Sequence, residues 1–386
     1  MNILLVAENW PPRTGGIERY LVGLAAALSE NHSMTVIAPG SDSKGRHDIS
    51  GVQVIRKRFF WPFIRPAWLP LFIFLYRYVQ RQKVDYIICG KGLFEGLLGF
   101  YIKKYLNVQY AVCTYAMEVS DWLDRPRTRR KLTRALLGAD IVTAINAVTR
   151  KQLVDIGISD DVLLTLYPGI GEKFLQRLGS LSGSDAKTIM KKYGISSRYI
   201  LAVGRLIERK GFDDLICAYA KLDQVKFGDV QLVIIGDGPQ LESLKKVADQ
   251  EFVRPLFLTD VSDDELPALF REAELFALTP KEVSGDIEGF GIVYLEAAAA
   301  GLAVFGTKTG GVPEAVIDRN TGLLVESQDV DGIRNAVSRL LEDSALAARL
   351  GAAGKERVLN EYTWKERIHQ LEEVFGDQHS QRAEPI

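Results

Sequence analysis

The chain has 386 residues, of which 47% are hydrophobic and 25% charged, with 48 Lys and Arg against 49 Asp and Glu. This length predicts two domains, and the ordinary globular composition excludes a disordered chain, a collagen-like fibre and a strongly basic nucleic-acid-binding protein. The three cysteines and four histidines have neither C-x-x-C nor metal-ligand spacing, so we expect no metal site formed by the protein. Because positive and negative charges balance, we also expect no nucleic-acid partner.

The first half of the chain alternates between predicted strands and helices. Short runs rich in β-branched residues indicate strands, and the segments between them have apolar residues at helical spacing. The predicted strands are 3–8, 34–38, 52–56, 86–89, 110–114, 141–145 and 162–166. The apolar run at the start breaks at Glu8, which is too short for a signal-peptide core, so we expect a cytoplasmic location.

Positive charge is concentrated in this half. Residues 1–165 hold 22 Lys and Arg against 14 Asp and Glu, a balance of +8 that leaves −9 for the remainder. Residues 56–83 interleave seven cations with aromatic side chains, and a second basic run covers 125–134. The apolar run at 66–76 is too short to cross a bilayer. Two interpretations stay open: a solvated helix with a buried apolar side, or a peripheral contact of 56–83 with the inner face of an anionic membrane or a phosphate-bearing acceptor.

A second series of strands and helices begins after residue 170. Its predicted strands are 199–203, 231–235, 255–259, 275–279, 303–306 and 322–325. The whole pattern predicts an α/β protein of two doubly wound, Rossmann-like domains facing a cleft, with ligands at the carboxyl ends of the strands. We expect domains at 1–170 and 171–361. Residues 362–386 would form a helix that packs back on the first domain, followed by a polar tail.

Glycine-rich segments follow several of the strands. The chain has no G-x-x-x-x-G-K-[ST] loop, and residues 90–96 miss the dinucleotide fingerprint by one position. The loop after the first strand ends in Gly15-Gly16 immediately before a helix, where bare backbone amides would receive a phosphate. Such a pair of glycines is more often only a turn.

The second half carries the more specific motifs. The segment Gly204-Arg205-Leu206-Ile207-Glu208-Arg209-Lys210-Gly211 places three cations at the carboxyl end of a strand, where a pyrophosphate would need neutralising. In residues 284–301, Glu288 precedes a glycine-bracketed helix start and Glu296 lies inside that helix. Loop amides facing an anion, with two carboxylates along one wall, suit hydroxyl-rich groups that flank a phosphate.

These segments resemble a known family. The pair Glu288 and Glu296 matches the E-x7-E motif of retaining GT-B glycosyltransferases, and the segments at 15–16, 204–205, 209–211 and 310–314 fall in that family's order and spacing. The chain is similar to glycosyltransferase family four, and within it to the bacterial phosphatidylinositol mannosyltransferases. The resemblance covers nearly the whole chain and is strongest over 200–325.

The resemblance implies a function and a set of site residues. The chain would move a hexose, with mannose favoured, from a GDP- or UDP-linked sugar to a glycan or lipid-linked acceptor with retention, and without a metal or other cofactor. Glu288 and the Gly289 to Gly291 amides would bind the sugar, and Glu296 the ribose. The base would lie near residues 259–262, between the end of a strand and a helix that begins with Asp263-Asp264-Glu265. The implied catalytic residues are Lys210, Arg205, Glu288 and Glu118. The implied donor-binding residues are Gly15, Gly16, Arg205, Lys210, Val261, Glu288, Gly289, Phe290, Gly291, Ile292 and Glu296.

One segment departs from the resembled group. Where that group has a histidine within T-x-x-H-E, this chain reads Thr114-Tyr115-Ala116-Met117-Glu118. Either Glu118 or Tyr115 substitutes for the histidine, or the donor sugar differs, or the activity is reduced. Two further hypotheses therefore accompany the transferase: a nucleotide-sugar-binding partner subunit without catalysis, and a sugar-nucleotide epimerase of related fold.

Overall fold

The described residues form thirteen strands, which lie where the sequence predicts them. The structure is a computed structural model, and it describes residues 1–13, 15–40, 49–115, 119, 122, 125–195 and 198–383, with side chains up to Phe375. The strands are β1 (Asn2–Val6), β2 (Ser33–Pro39), β3 (Val52–Lys57), β4 (Tyr86–Cys89), β5 (Gln109–Thr114), β6 (Ile141–Ala144), β7 (Leu163–Thr165), β8 (Tyr199–Val203), β9 (Gln231–Ile235), β10 (Leu256–Leu258), β11 (Leu275–Ala277), β12 (Ala303–Thr307) and β13 (Leu323–Val325).

Sixteen α-helices are formed by the described residues. They are α1 (Gly16–Leu28), α2 (Leu69–Gln82), α3 (Phe94–Leu106), α4 (Pro126–Leu137), α5 (Ala147–Asp155), α6 (Glu172–Ser180), α7 (Gly183–Tyr193), α8 (Phe212–Ala220), α9 (Gln224–Phe227), α10 (Leu241–Gln250), α11 (Leu266–Glu272), α12 (Ile292–Ala299), α13 (Val312–Ala315), α14 (Val330–Glu342), α15 (Ser344–Glu361) and α16 (Trp364–Ala383).

The chain divides into two compact units, each built on one parallel sheet. The first unit is residues 1–169 with 364–386, and the second is 170–363. The first sheet has the order β3-β2-β1-β4-β5-β6-β7 and the second β10-β9-β8-β11-β12-β13. All neighbouring strands are parallel. Strand order therefore reverses beside β1 in the first sheet and beside β8 in the second, and in such sheets ligands bind at the reversal point.

Helices cover both faces of the first sheet because each presents one apolar side. One core holds α1 and α16, with Tyr20 lying 5.2 Å from Trp364 and Phe375 lying 4.3 Å from Tyr86, measured between ring centroids. The core on the opposite face is formed with α2, α3 and α4. The last helix thus belongs to the first unit, although the chain reaches it only after passing through the whole second unit.

Residues 179–185 span the junction between α6 and α7. Ser182 accepts a hydrogen bond from the Asp185 amide, and the Asp185 carboxylate accepts one from the Ser182 amide, so the pair forms a capping box at the start of α7.

Candidate functional site

The reversal point of the second sheet gathers most of the predicted site residues. β8 lies between β9 and β11, with Leu201 paired to Val233 on one side and to Phe276 on the other. Two loops therefore leave neighbouring carboxyl ends: 204–211 after β8 and 278–291 after β11. The first contains the exposed Arg205 and a 3₁₀ turn, Glu208–Lys210. The parallel pairing of β8 and β11 is what brings the two motifs together.

An ionic cluster joins these loops. The Arg209 Nη1 atom donates to Glu288 Oε2 at 2.7 Å, and the Lys210 Nζ atom lies 2.6 Å from the same oxygen. Arg209 Nε also lies 3.1 Å from Asp286 Oδ1. The Glu288 side chain is only 7% exposed and that of Lys210 12%. Two cations therefore hold one buried carboxylate, in a place where an unpaired charge would be costly.

The protonation state of Glu288 follows from this cluster. Burial raises the pKa of the carboxyl, while the charges and hydrogen bonds of Lys210 and Arg209 lower it by more, so the pKa of Glu288 lies below its ordinary value. Glu288 is therefore an ionised hydrogen-bond acceptor at neutral pH. This is the state needed to bind hydroxyl groups.

Backbone contacts fix the turn that carries the two cations. Gly211 has φ +64°, and an added Cβ would overlap the carbonyl oxygen of Thr279, so the chain requires glycine at this close approach. The Thr279 hydroxyl donates to the Gly211 carbonyl at 2.6 Å. The amide of Lys281 donates to the Arg209 carbonyl at 2.8 Å. The loop after β11 thus fixes the loop after β8 through its main chain as well as through Glu288.

Lys281 extends the cluster to the next helix. Its side chain is 8% exposed, and its Nζ atom lies 2.6 Å from Asp213 and 3.2 Å from Asp214, both in the first turn of α8. Burial raises the pKa of Asp214, and the charge of Asp213 raises it further, while Lys281 opposes both effects. Lys281 therefore offsets the repulsion between two adjacent carboxylates.

Glu288 lies in the glycine-containing loop that precedes α12, and Glu296 lies within that helix. The Gly311 amide donates to the carbonyl of Glu288 at 2.9 Å, so the loop after β12 supports that residue directly. Gly291, with φ +83°, precedes α12, and Glu296 is a buried residue of that helix. The ring of Phe290 is buried, with its centroid 5.7 Å from that of Tyr362. Ile292 is the first residue of α12.

The segment predicted to receive the nucleotide base differs from expectation in one respect. Val261 is half-buried in the turn after β10, but α11 begins at Leu266 and not at Asp263. The acidic residues 263–265 form a turn instead, in which Glu265 accepts from the Ser262 hydroxyl at 2.8 Å and pairs with Lys192. The position of Pro267 within the first helical turn explains the later start, since proline is favoured there.

In the first unit, the paired glycines lie beside the reversal point at β1. Gly15 and Gly16 stand at the start of α1, and the buried Glu18 of its first turn accepts from the Asn9 side chain at 2.6 Å. The fully buried Glu95 at the start of α3 accepts from the Glu8 amide at 3.0 Å. Two buried carboxylates thus hold the loop that the sequence singles out. Met117 and Glu118 lie outside the described residues.

The basic and aromatic segment has two different sides. Leu71, Leu75 and Val79 of α2 are buried in the first unit, whereas Ile73 is exposed. The preceding loop exposes three aromatic side chains: Phe60 (43%), Trp61 (40%) and Phe63 (97%). Of the helices formed by the described residues, none is long and apolar enough to cross a bilayer. Residues 69–76 of the apolar run therefore belong to the amphipathic helix α2, which has one side in the core.

Several contributors to the site were missed at the level of sequence. Asp286 and Lys281 carry no motif, and their roles depend on partners 77 and 68 residues earlier in the chain. In the sequence, Glu18 and Glu95 have the positions of ordinary acidic residues in the first turn of a helix. A lysine placed between an apolar strand and a glycine-rich segment is the one sequence signal that could have pointed to Lys281.

Two family models cover most of the chain. Residues 14–173 match the model described as Glycosyltransferase Family 4, and residues 185–357 match Glycosyl transferases group 1. A curated relative from Mycolicibacterium smegmatis, named GDP-mannose-dependent alpha-(1-6)-phosphatidylinositol monomannoside mannosyltransferase, is 32% identical over 98% of this chain and 100% of its own. The chain belongs to glycosyltransferase family 4.

Other relatives agree with that membership. A Corynebacterium glutamicum protein, the GDP-mannose-dependent monoacylated alpha-(1-6)-phosphatidylinositol monomannoside mannosyltransferase, is 29% identical over 94% of both chains. Among solved structures, the Anabaena HepE protein in complex with UDP superposes with a TM-score of 0.82 at 18% identity, covering 98% of this chain and 100% of that one. The sucrose-phosphate synthase of Thermosynechococcus elongatus gives 0.80 at 21%, covering 98% and 99%. These two likenesses concern the fold alone.

This family 4 member is therefore an enzyme that transfers a sugar from a nucleotide sugar, and its two Rossmann-like units form a GT-B fold. The prediction of fold class and of a glycosyltransferase is confirmed.

Proposed function

We propose that the enzyme transfers mannose from GDP-mannose to a lipid-linked mannoside, with retention of configuration at the anomeric carbon. The cluster of Arg209, Lys210 and Glu288 at the reversal point of the second sheet is the observation that carries this proposal. It combines cations for a diphosphate with an ionised acceptor for sugar hydroxyls. The names of the two actinobacterial relatives support the choice of GDP-mannose and of a phosphatidylinositol mannoside acceptor.

The chemistry follows the movement of charge. When the bond between the anomeric carbon and the β-phosphate oxygen breaks, negative charge grows on the phosphate and positive character on the carbon. Lys210 and the exposed Arg205 gain interaction with that phosphate in the transition state, which is where a contact raises kcat. The acceptor oxygen then bonds to the same face of the carbon, and its proton passes to the departing phosphate.

The remaining implied residues complete the proposal. Glu296 would bind the ribose, Val261 would lie near the base, and the amides of residues 289–291 would contact the sugar. Gly15, Gly16 and Glu118 of the first unit would contact the diphosphate and the reacting groups. These assignments come from the family resemblance, and no metal or other cofactor is part of them.

A transfer assay with purified acceptor tests this function. We expect mannosylation with GDP-mannose, and a loss of at least 100-fold in kcat for both Glu288→Gln and Lys210→Ala, as for loss of a transition-state charge contact. Lys245→Ala is the matched control, because this lysine also pairs with a glutamate, at 2.7 Å, but on the solvent-facing side of α10. Unchanged rates in both site variants would refute the assignment.

We further propose that the surface formed by residues 56–83 binds an anionic membrane. This segment contains seven cations and no carboxylate, and it exposes Trp61 and Phe63 beside Arg58, whose guanidinium lies 5.1 Å from the Trp61 ring. Aromatic side chains next to cations suit the boundary between headgroups and acyl chains.

Vesicle sedimentation tests the membrane contact. We expect salt-sensitive binding to vesicles rich in anionic lipid, little binding to neutral vesicles, and weaker binding by Trp61→Ser with Phe63→Ser. Phe252→Ser is the control, because Phe252 is 92% exposed in the second unit. Equal binding to neutral vesicles would leave these aromatic residues without a role at an anionic surface.

A further inference from the structure

Arg209 has a different set of contacts from its neighbour Lys210. Within the part of the chain that the structure describes, Lys210 has one ion pair, at 2.6 Å from Glu288, whereas Arg209 contacts the loop after β11 at three points. Its carbonyl accepts from the Lys281 amide at 2.8 Å, its Nη1 donates to Glu288 at 2.7 Å, and its Nε lies 3.1 Å from Asp286. One guanidinium thus pairs with two carboxylates that flank a single residue, Ile287.

The backbone around Asp286 holds one of these carboxylates in place. Val283 and Asp286 exchange backbone hydrogen bonds of 3.1 and 2.9 Å, which closes a short turn. A planar guanidinium can bridge two acceptors held at fixed positions, whereas an ammonium acts as a single point charge. Among the described residues, turning the Lys210 ammonium away from the loop breaks one ion pair, whereas turning the Arg209 guanidinium away breaks two.

Binding of a diphosphate would redistribute these contacts. Under the proposed function, Lys210 must turn to the donor phosphate while Glu288 stays ionised to accept from the sugar. Both cations now meet Glu288 at the same oxygen, Oε2, so withdrawing Lys210 leaves Arg209 as the remaining cation on a carboxylate that is 7% exposed. Without a cation, burial would favour the protonated acid.

We propose that Arg209 is a positioning residue, which keeps Glu288 ionised and in place so that Lys210 is available to the donor. This inference rests on the proposed function of Glu288 and Lys210. The cations that pair with Glu288 are Arg209 and Lys210, and Asp286 acts through Arg209. The buried Tyr294 of α12 also faces Glu288: burial, and then the Glu288 charge, raise the pKa of the Tyr294 hydroxyl, which therefore stays neutral.

The kinetic test uses two variants and a control. Arg209→Gln should lower kcat about 10- to 100-fold, as for loss of a charged hydrogen bond, and move the acidic limb of the kcat against pH profile to higher pH. Arg209→Lys keeps a cation but cannot bridge both carboxylates, so it should restore the acidic limb while leaving kcat reduced. Arg198→Gln, which breaks two ion pairs with Asp229 and Glu274 in the same unit, should leave the limb unmoved.

A second measurement separates this inference from the proposed reaction. In protein labelled with ¹³C at glutamate carboxyls, the Glu288 resonance is the one lost in Glu288→Gln, and its titration is followed with and without GDP. We expect the pKa of Glu288 to stay low with GDP in the wild-type protein and to rise in Arg209→Gln. An unmoved acidic limb and an unmoved Glu288 titration in Arg209→Gln would overturn the positioning role. Absence of transfer by the wild-type protein, with the titration shifted as expected, would instead refute the proposed reaction.

Discussion

Gly310 is in close contact with the backbone of Glu288, so Gly310→Ala tests the geometry of the site. Its φ is +52°, and an added Cβ would overlap the Glu288 carbonyl oxygen and lie 3.0 Å from the carbonyl carbon. The left-handed conformation costs an alanine about 1–2 kcal/mol, and relieving the overlap about 1–3 kcal/mol more. We therefore expect the free energy of unfolding to fall by about 2–5 kcal/mol.

The same substitution should impair catalysis beyond its effect on stability. To escape the overlap, the Glu288 backbone must move by about 1 Å, and a displacement of that size costs on the order of 100-fold in rate. Gly194→Ala is the matched control, since Gly194 has φ +68° with nothing within 4 Å of an added Cβ. The Gly194→Ala variant should lose about 1–2 kcal/mol of the free energy of unfolding, the cost of the left-handed conformation, and should keep its kcat.

Urea unfolding of both variants gives the free energy of unfolding. Single-turnover transfer, measured under conditions in which both variants are folded, gives the rate of the chemical step. A Gly310→Ala enzyme with the stability of Gly194→Ala and the wild-type kcat would show that the contact between Gly310 and Glu288 does not position the site.

Three further predictions concern the framework. Lys281→Met leaves Asp213 without its buried cation, so urea unfolding should show a loss of about 1–3 kcal/mol, and an unchanged midpoint would contradict this. Phe375→Ala removes a ring that is 2% exposed from the first unit, and chemical denaturation should show a loss of about 3–5 kcal/mol; a loss below about 1 kcal/mol would mean that α16 contributes little there. The hydrogen bond from Lys192 lowers the pKa of Glu265 to about 2, from an ordinary value of 4.5. The wild-type protein should therefore have a larger free energy of unfolding than Glu265→Gln above pH 4.5, and this difference should disappear as the pH falls towards 2. A stability difference between wild type and Glu265→Gln that does not change with pH would contradict that assignment.

The sequence predicts the strands well because their signal is local. Buried parallel strands are short runs of β-branched residues, and Tyr199–Val203 and Gln231–Ile235 have the same bounds in the prediction and in the structure. The start of α11 was wrong, because three consecutive acidic residues read as a first helical turn while Pro267 sets the actual start. Local charge patterns do not distinguish these two cases.

The candidate site is visible in sequence only as separate motifs. Arg209 and Glu288 are 79 residues apart, and their hydrogen bond depends on β8 and β11 being neighbours across the reversal of strand order. The motif therefore identifies the cations and the glutamate but not which cation holds which carboxylate. The pairing of Lys281 with α8 is likewise a property of packing, which a single sequence does not encode locally.

Calorimetric binding of GDP-mannose, compared with UDP- and ADP-linked sugars and repeated with Lys210→Ala, is the most direct measurement of the donor site. Binding to the folded protein is detected without any acceptor. We expect selective binding of GDP-mannose that is lost in Lys210→Ala. Equal binding by the variant, or no binding of any nucleotide sugar by the wild-type protein, would contradict the donor site at Lys210 and Glu288.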